Sequence, residues 1–389
     1  MSDHVRAAGT CSLDERFARG WHCLGLAGDF TDGKPHAVEA FGTKLVVFTD
    51  SRGAVHVLDG VCRHMGGDLG RGSVKGDSIA CPFHDWRWDG DGVCRKVPYA
   101  KRVPRLARTR SWTSCLENNL LFVWHDHENN PPPDDVVIPR IDEAFDEGWT
   151  DWSVRQWRIS GSHSREVIDN MADVAHFFYV HAGLPISYRN VFEGHIARQF
   201  ITNRGRPDVP ELGPEFGKAV LTSESTYYGP AYAVTSLHTD YGGYEAEAVL
   251  LAFHYPIDHD AFMLHSAVSV RRPRGLDPET TEKIAGLIAD GVAAGFEQDV
   301  EIFQHKAKID DPLLADEDGP IYQLRRWYDQ FYVDAGAVAP DMTDRFEFDL
   351  DTSYVVGVWT DEVEANVARQ EAERADLVSE RAAAGSITR

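Results

Sequence analysis

Two short loops, Cys62-Arg-His64 and Cys81-Pro-Phe-His84, each offer one thiolate and one imidazole, with sixteen residues between them. Any fold for this chain has to bring both loops onto one centre. Four such ligands can hold zinc, but structural zinc sites usually group a Cys pair and then a His pair. Here the two types alternate along the chain. That order suits a Rieske [2Fe-2S] cluster, in which two Cys hold one iron and two His the other, raising the potential above that of an all-Cys cluster. Gly66-Gly67 and Pro82 fit loops that must turn tightly and let backbone approach a cluster closely.

At 389 residues the chain is long enough for two cores. Its 62 acidic against 39 basic residues, net −23, disfavour nucleic acid and anionic membrane surfaces as partners. Solubility is the plain consequence of that acidity, and docking to a basic redox partner stays open. Of the six cysteines (11, 23, 62, 81, 94, 115), four lie singly outside the motif, which argues against a disulfide framework. Cys94 is expected in a strand under the cluster loops. The polar N-terminus has no apolar signal core, and no apolar run approaches the roughly 20 residues of a membrane span. The expectation is a cytoplasmic, soluble protein.

The order of signals predicts an α+β protein: an N-terminal antiparallel-β cluster domain, then an antiparallel sheet with helices. The expected boundaries are a mobile N-terminus over 1–16, the cluster domain over 17–128, a Pro-rich linker over 129–135, a catalytic domain over 136–365 and a helix or tail over 366–389. Runs 44–48 and 54–58 flank a turn at Asp50–Gly53, and runs 111–113 and 120–124 flank Glu117-Asn-Asn119. Three successive prolines, Pro131 to Pro133, interrupt helix and central strand alike. Beyond them strands are expected over 152–159, 248–255 and 262–270, and helices over 163–180, 278–308 and 319–334.

A second ligand set lies in Asp169-Asn170-Met-Ala-Asp173-Val-Ala-His176-Phe-Phe-Tyr-Val-His181. At about 100° per residue, Asp169, Asp173 and His176 fall within roughly 60° of one another, with Val167, Met171, Val174 and Phe178 largely opposite. A solvated acidic face with a surface His is the plain reading. His181 weakens it: on a regular helix it stands about 140° from His176, so both imidazoles can meet one metal only if the helix widens or ends between them. Gly183-Leu-Pro185 supplies an ending. Non-haem Fe(II) oxygenases add one carboxylate to two His. On the helix 278–308, Ile288, Val292, Phe296 and Phe303 trace an apolar stripe, and Asp299 falls within about 60° of the last three. Glu301 points away and Glu297 stands off the stripe. A carboxylate inside an apolar stripe is costly unless paired or metal-bound. Asp299 is therefore the candidate third ligand, with a buried Asp held by Arg or Tyr as the alternative.

With both ligand sets placed, the chain resembles the terminal oxygenase components of Rieske non-haem iron oxygenases over about 21–363. More narrowly it resembles the oxygenase components of 3-ketosteroid 9α-hydroxylases. The likeness is carried by Phe41-Gly-Thr-Lys-Leu-Val-Val-Phe48, Cys62-Arg-His-Met-Gly-Gly-Asp68, Cys81-Pro-Phe-His-Asp-Trp-Arg-Trp88, Phe192-Glu-Gly-His195, Gln298-Asp-Val-Glu-Ile302 and Tyr322-Gln-Leu-Arg-Arg-Trp-Tyr328.

The resemblance implies that Cys62 and Cys81 hold the buried iron of the cluster and His64 and His84 the outer one. His176, His181 and Asp299 would hold a mononuclear Fe(II) with positions open for O2, one such iron and one cluster per chain. Asn170 matches a position treated as a further, weaker ligand, although a regular helix points it away from His176. Asp173 would bridge electrons from a cluster His of one subunit to His176 of the next, orienting both imidazoles. A head-to-tail homotrimer and a helix-grip catalytic fold are implied. So is monooxygenation of a hydrophobic steroid, at the 9α position or on a related sterol-derived substrate, with electrons from NADH through a separate flavin and iron–sulfur reductase. The chain itself has no Gly-rich nucleotide fingerprint.

Pocket residues are expected at Thr235, Ala252, Phe296 and Phe303. Three depart from the steroid pattern: the resemblance leads one to expect Asn at 235 and 252 and Trp at 303. Each lost amide donor should weaken recognition of a ketone by about 1 kcal/mol or more. Turnover of another polycyclic or aromatic substrate, ring dihydroxylation included, is the neighbouring alternative. A Rieske-type electron carrier is the non-enzyme rival, and it leaves His176, His181 and Asp299 without a purpose.

Overall fold

The computed structural model describes residues 16–213 and 215–386, with side chains as far as 378. The expected mobile segment 1–16, Arg16 apart, and the end of the expected 366–389 tail lie outside the described residues. Arg16 is anchored by a 2.8 Å bond to Asp334.

Residues 20–125 form three small antiparallel sheets. Thr43–Thr49 pairs with His36–Ala40 on one side and Val55–Asp59 on the other. Leu45 to Phe48 are all fully buried, because both faces of this strand are covered. The turn after it is built by Asp50, whose Oδ1 accepts from the amides of Arg52 and Ala54 at 2.9 and 3.0 Å, with Gly53 at φ +86°. The strand expected over 111–113 is instead Ser114–Glu117, paired with Leu120–His125. The cause is the two-residue turn Asn118-Asn119, both at positive φ, which sets Glu117 opposite Leu120. Trp112 turns away to bond Val57 O and Asp59. Short strands Ser73–Lys75, Ser78–Ala80, Arg87–Asp89 and Cys94–Lys96 carry the cluster loops, and Cys94 packs beneath them in one core with Cys62 and Cys81.

Pro131 to Pro133 belong to neither helix nor strand. Beyond them stands an eight-stranded antiparallel sheet in the order Ser153–Ser160, Ala261–Val270, Glu245–Pro256, Tyr232–Asp240, Val220–Tyr228, Ile196–Gly205, Gly183–Glu193, Phe346–Asp349. The architecture is α+β. Four strands between 183 and 240 escaped the sequence pattern because their inner face carries Ser, Thr, Asn and Gln as well as apolar residues. The two parts share a core: Trp21, Phe122 and Trp124 pack with Tyr232, Leu251 and Phe253.

Helix Pro278–His305 lies along the inner face of this sheet, started by Asp277, whose carboxylate accepts from Thr280 N at 3.0 Å. Its buried stripe is Ala285, Ala289, Ala293, Phe296, Val300 and Phe303. This corrects the expected stripe: Ile288 and Val292 are only half-buried, because small Ala side chains let the helix sit close on Ala248, Val268 and Val270. The helix expected over 163–180 is broken into a 3-10 segment, Ser164–Met171, and a short helix, Ala175–Tyr179. That over 319–334 is shorter, Ile321–Asp329. The last helix begins at Ser353, ahead of the expected position, and runs through 365–366; Val355, Trp359 and Val363 anchor it on Phe178 and Tyr188.

Candidate metal centres and substrate cavity

Cys62 and Cys81 are buried side by side at the tip of the first domain. The Cys62 loop is closed by Cys62 N on Gly67 O at 2.8 Å and Gly66 N on Cys62 O at 2.9 Å; the Cys81 loop by Cys81 N on Trp86 O and Asp85 N on Cys81 O, both 2.9 Å. A Cβ at Gly67 would lie 2.6 Å from Cys81 Sγ, so only glycine leaves the sulfur its place. The His64 and His84 rings stand 4.8 Å apart, and His64 stacks on Trp86 at 4.4 Å and 10°. His84 Nδ1 is buried without a hydrogen-bond partner. Two buried thiols and two adjacent imidazoles, one with an orphaned nitrogen, fit a [2Fe-2S] cluster held by Cys62, Cys81, His64 and His84.

The structure brings His176, His181 and Asp299 together, with candidate ligand atoms all within 4.8 Å of one another. Two local features make this possible. The helix widens at its end, so that Val180 N and His181 N both reach His176 O, at 2.7 and 3.3 Å, and Ala182 follows at φ +55°. The inner nitrogens are committed elsewhere: His176 Nδ1 donates to the Asp173 carbonyl at 2.8 Å, and His181 Nδ1 to Gln298 Oε1 at 3.1 Å. Both Nε2 lone pairs are thereby left for a metal, the tautomer that metal-bound His requires. Asp299 Oδ1 lies 3.3 Å from His181 Nε2. Burial alone would lower the His181 pKa, but Asp299 and Gln298 hold it above its ordinary value. The donor set is that of a non-haem iron site.

Asp173 departs from the expected arrangement. Its backbone carbonyl, not its carboxylate, orients His176; the carboxylate accepts from His176 N at 3.2 Å and is 38% exposed. Burial would raise its pKa, and the contact with His176 overrides this to hold it low. Asp169 does not share that surface. It is buried and clamped by Arg325, Nε and Nη2 at 3.0 and 2.7 Å, and by Lys306 at 2.9 Å.

A cavity of about 680 Å³ lies between the sheet and helix Pro278–His305 and reaches His176, His181 and Asp299. Thr235, Ala252, Phe296 and Phe303 all line it, and so does Asn170, which lies in the 3-10 segment. The lining is mostly apolar, including Val167, Met171, Leu250 and Val292. Thr235 shares a 2.8 Å hydrogen bond with Ser225. Asn203, which also lines the cavity, has a buried Oδ1 without a partner.

The family profile of the 3-ketosteroid 9alpha-hydroxylase C-terminal domain matches residues 123–332, and that of the Rieske [2Fe-2S] domain residues 20–107. The 3-ketosteroid-9-alpha-monooxygenase, oxygenase component, of Mycolicibacterium smegmatis is 57% identical over 376 residues, covering 96% of this chain and 98% of its own length. The chain belongs to the 3-ketosteroid 9α-hydroxylase oxygenase family. Its Mycobacterium tuberculosis relative of the same description is 55% identical, over 94% of this chain and 95% of that protein. Dicamba monooxygenase bound to dicamba shares the fold at TM-score 0.62 and 16% identity, over 81% of this chain and 97% of that one. Pseudomonas putida CBB5 NdmB does so at 0.65 and 16%, over 86% and 99%.

In this 3-ketosteroid 9α-hydroxylase family member a Rieske cluster and a non-haem iron are thus implied. No helix among the described residues is long and apolar enough to cross a membrane. Sequence reasoning missed Arg325, Lys306, Gln298 and Asn203. Gln298 had a signal, its place beside Asp299; the others meet the site only through the fold.

Proposed function

We propose that the protein hydroxylates a 3-ketosteroid at the 9α carbon, or a closely related sterol-derived substrate, as the terminal oxygenase of an NADH-driven monooxygenase. The observation that carries this reading is the apolar cavity ending on His176, His181 and Asp299. Its volume lies in the range of ligand pockets, and its apolar walls suit a fused-ring hydrocarbon. The overall balance is R–H, O2, NADH and a proton giving R–OH, water and NAD⁺. Bound at these residues, the iron supplies O2 activation and the cluster supplies electrons.

The protein's own part is placement. Val167, Met171, Phe296 and Phe303 surround the ring system, keep water from the reacting carbon and hold that C–H bond towards the two imidazoles. The amide of Asn203 is a polar group for the steroid that the departures at 235 and 252 leave intact. Asp173 offers its exposed carboxylate oxygen to a cluster imidazole of a neighbouring subunit in a head-to-tail homotrimer. The reading places this chemistry in the cytoplasm, with its NADH-dependent flavin and iron–sulfur reductase.

Reconstitution with such a reductase tests the reading. The substrates offered are 4-androstene-3,17-dione and a steroid bearing a C-17 side-chain thioester. NADH-dependent oxygen uptake matched by a 9α-hydroxylated product is expected with at least one. Absence of both uptake and product with either steroid overturns the assignment, and a cis-diol product would move it to ring dihydroxylation.

A further inference from the structure

Two rows of side chains line the cavity towards its opposite ends. Tyr227, Ala233 and Ala252 stand directly beside one another across the sheet, and so do Asn203, Leu221 and Thr239. The rows are six residues apart along each strand, about 20 Å at the rise of a β-strand. Near the first row the polar groups are already engaged. Ala252 has none to offer, and the Thr235 hydroxyl is bonded to Ser225 at 2.8 Å. Gln199 commits its Nε2 to Tyr188 OH at 3.1 Å. Tyr227, whose phenol burial and the charge of Asp299 hold protonated, stands by the metal ligands.

Asn203 is different. Only 3% of it is exposed, its Oδ1 is sealed without a partner, and its side chain makes no hydrogen bond among the described residues. A buried amide left unpaired is unfavourable and calls for a partner. The fold makes room for this one: a Cβ at Gly183, on the neighbouring strand, would stand 3.2 Å from Asn203 Cγ and 3.3 Å from its Oδ1. Beyond Asn203 the chain folds back on its own strand, where a Cβ at Gly205 would collide with the Phe216 carbonyl, and Phe216 and Leu221 give this end of the cavity apolar walls. A hydrogen bond made there is sheltered from water.

We infer that the substrate is held by a single terminal oxygen, hydrogen-bonded to Asn203, and that the end of the cavity at Ala252 takes hydrocarbon. An amide both donates and accepts, so the oxygen held is that of a ketone or a hydroxyl. A site built to bond such a group rejects the analogue lacking it, because the buried amide is then left unpaired; an apolar end has little to lose. Gly183 follows His181 by two residues, so the strand packed on Asn203 starts at the metal ligands. An oxygen fixed at Asn203 thereby sets how far the reacting carbon stands from the imidazoles. This inference rests on the steroid reading above and names the end of the cavity at which the steroid is recognised.

The test compares kcat/KM of the reconstituted holoenzyme for three steroids: 4-androstene-3,17-dione, androst-4-en-3-one, which lacks the oxygen at C17, and androst-4-en-17-one, which lacks that at C3. Wild type is expected to lose at least about tenfold with one of the two analogues and almost nothing with the other. In Asn203→Leu and Asn203→Ala, with iron content and cluster absorbance as the check on folding, the dione should fall to the level of the sensitive analogue, and that analogue should be unaffected. Wild-type losses that are equal for both analogues, or absent for both, overturn the one-ended anchor without recourse to any variant. Variants that lower all three steroids alike, or that keep the one-sided preference, take the anchor away from Asn203. In each of those cases the steroid reading stands. Wild type that turns over none of the three overturns that reading and this inference together.

Discussion

Asp299 Oδ1 lies 3.3 Å from Nε2 of His181, and the adjacent Gln298 holds the other nitrogen of the same ring at 3.1 Å. Two neighbouring residues of one helix thus position an imidazole that is remote in sequence and complete its ligand set. Replacing Asp299 with Ala should lower iron from about three to about two per chain, with the cluster absorbance unchanged and steroid turnover lost. Iron still at the wild-type level, with activity intact, would remove Asp299 from the site.

The clamp on Asp169 has a consequence for stability. Burial would raise this carboxyl's pKa, but bidentate Arg325 and Lys306 hold it below the ordinary range. Lys306 and Arg325 tie the segment Ser164–Met171, just ahead of His176, to the end of the helix bearing Asp299 and to helix Ile321–Asp329. Asp169→Ala leaves the buried guanidinium with the Ile309 and Asp310 carbonyls but without its carboxylate partner, at a cost of about 3 kcal/mol. Urea unfolding should show this as an earlier midpoint, together with weaker iron retention. A midpoint within error of wild type would contradict the clamp.

The two candidate ligand sets were legible because each is mostly local. Cys62 to His84 and Asp173 to His181 are short motifs, and Asp299 betrayed itself as a carboxylate on an apolar stripe. The sequence also required the helix to widen or end before His181, and the structure does both. Less was visible where contacts are long-range or faces are mixed. Asp169 meets Arg325 only through tertiary packing, so its place on a helical wheel suggested a solvated face. The strands lining the cavity carry Ser, Thr, Asn and Gln on their inner side, which erased the alternation that marks a half-buried strand. Orientation of His176 by a backbone carbonyl left no trace in side-chain identity.

Glycine 67 sets the space for the cluster. Its missing Cβ is what allows Cys81 Sγ its position. Gly67→Ala should therefore lose the visible absorbance of the cluster and fall to about one iron per chain. Normal absorbance and iron content in that variant would show that the loop can give way.

Four buried imidazoles stand where the two parts of the chain meet. Burial lowers His22 and His265 to about 4, and His125 and His254 to about 3. Their ordinary value in an unfolded chain is about 6.5. Each folded pKa is depressed, so the stability is fully present above about 6.5 and is lost as pH falls from there towards 4, where only the unfolded chain takes up the protons. Each contributes at most roughly 3 kcal/mol over that window. Denaturant midpoints measured from pH 7 down to about 4.5 should fall steeply, and more shallowly in a His254→Gln variant. A flat profile would contradict the neutral, buried state of these rings.

The most direct measurement replaces Asp173 with Ala in the holoenzyme and follows iron content and steroid turnover side by side. The backbone carbonyl of residue 173 already holds His176 Nδ1 at 2.8 Å, so losing the carboxylate leaves that imidazole in place. The account predicts about three irons per chain, a normal cluster spectrum and turnover reduced by at least about a hundredfold, because the route between the two centres is cut. Coupled turnover near the wild-type rate, with both centres occupied, would contradict it.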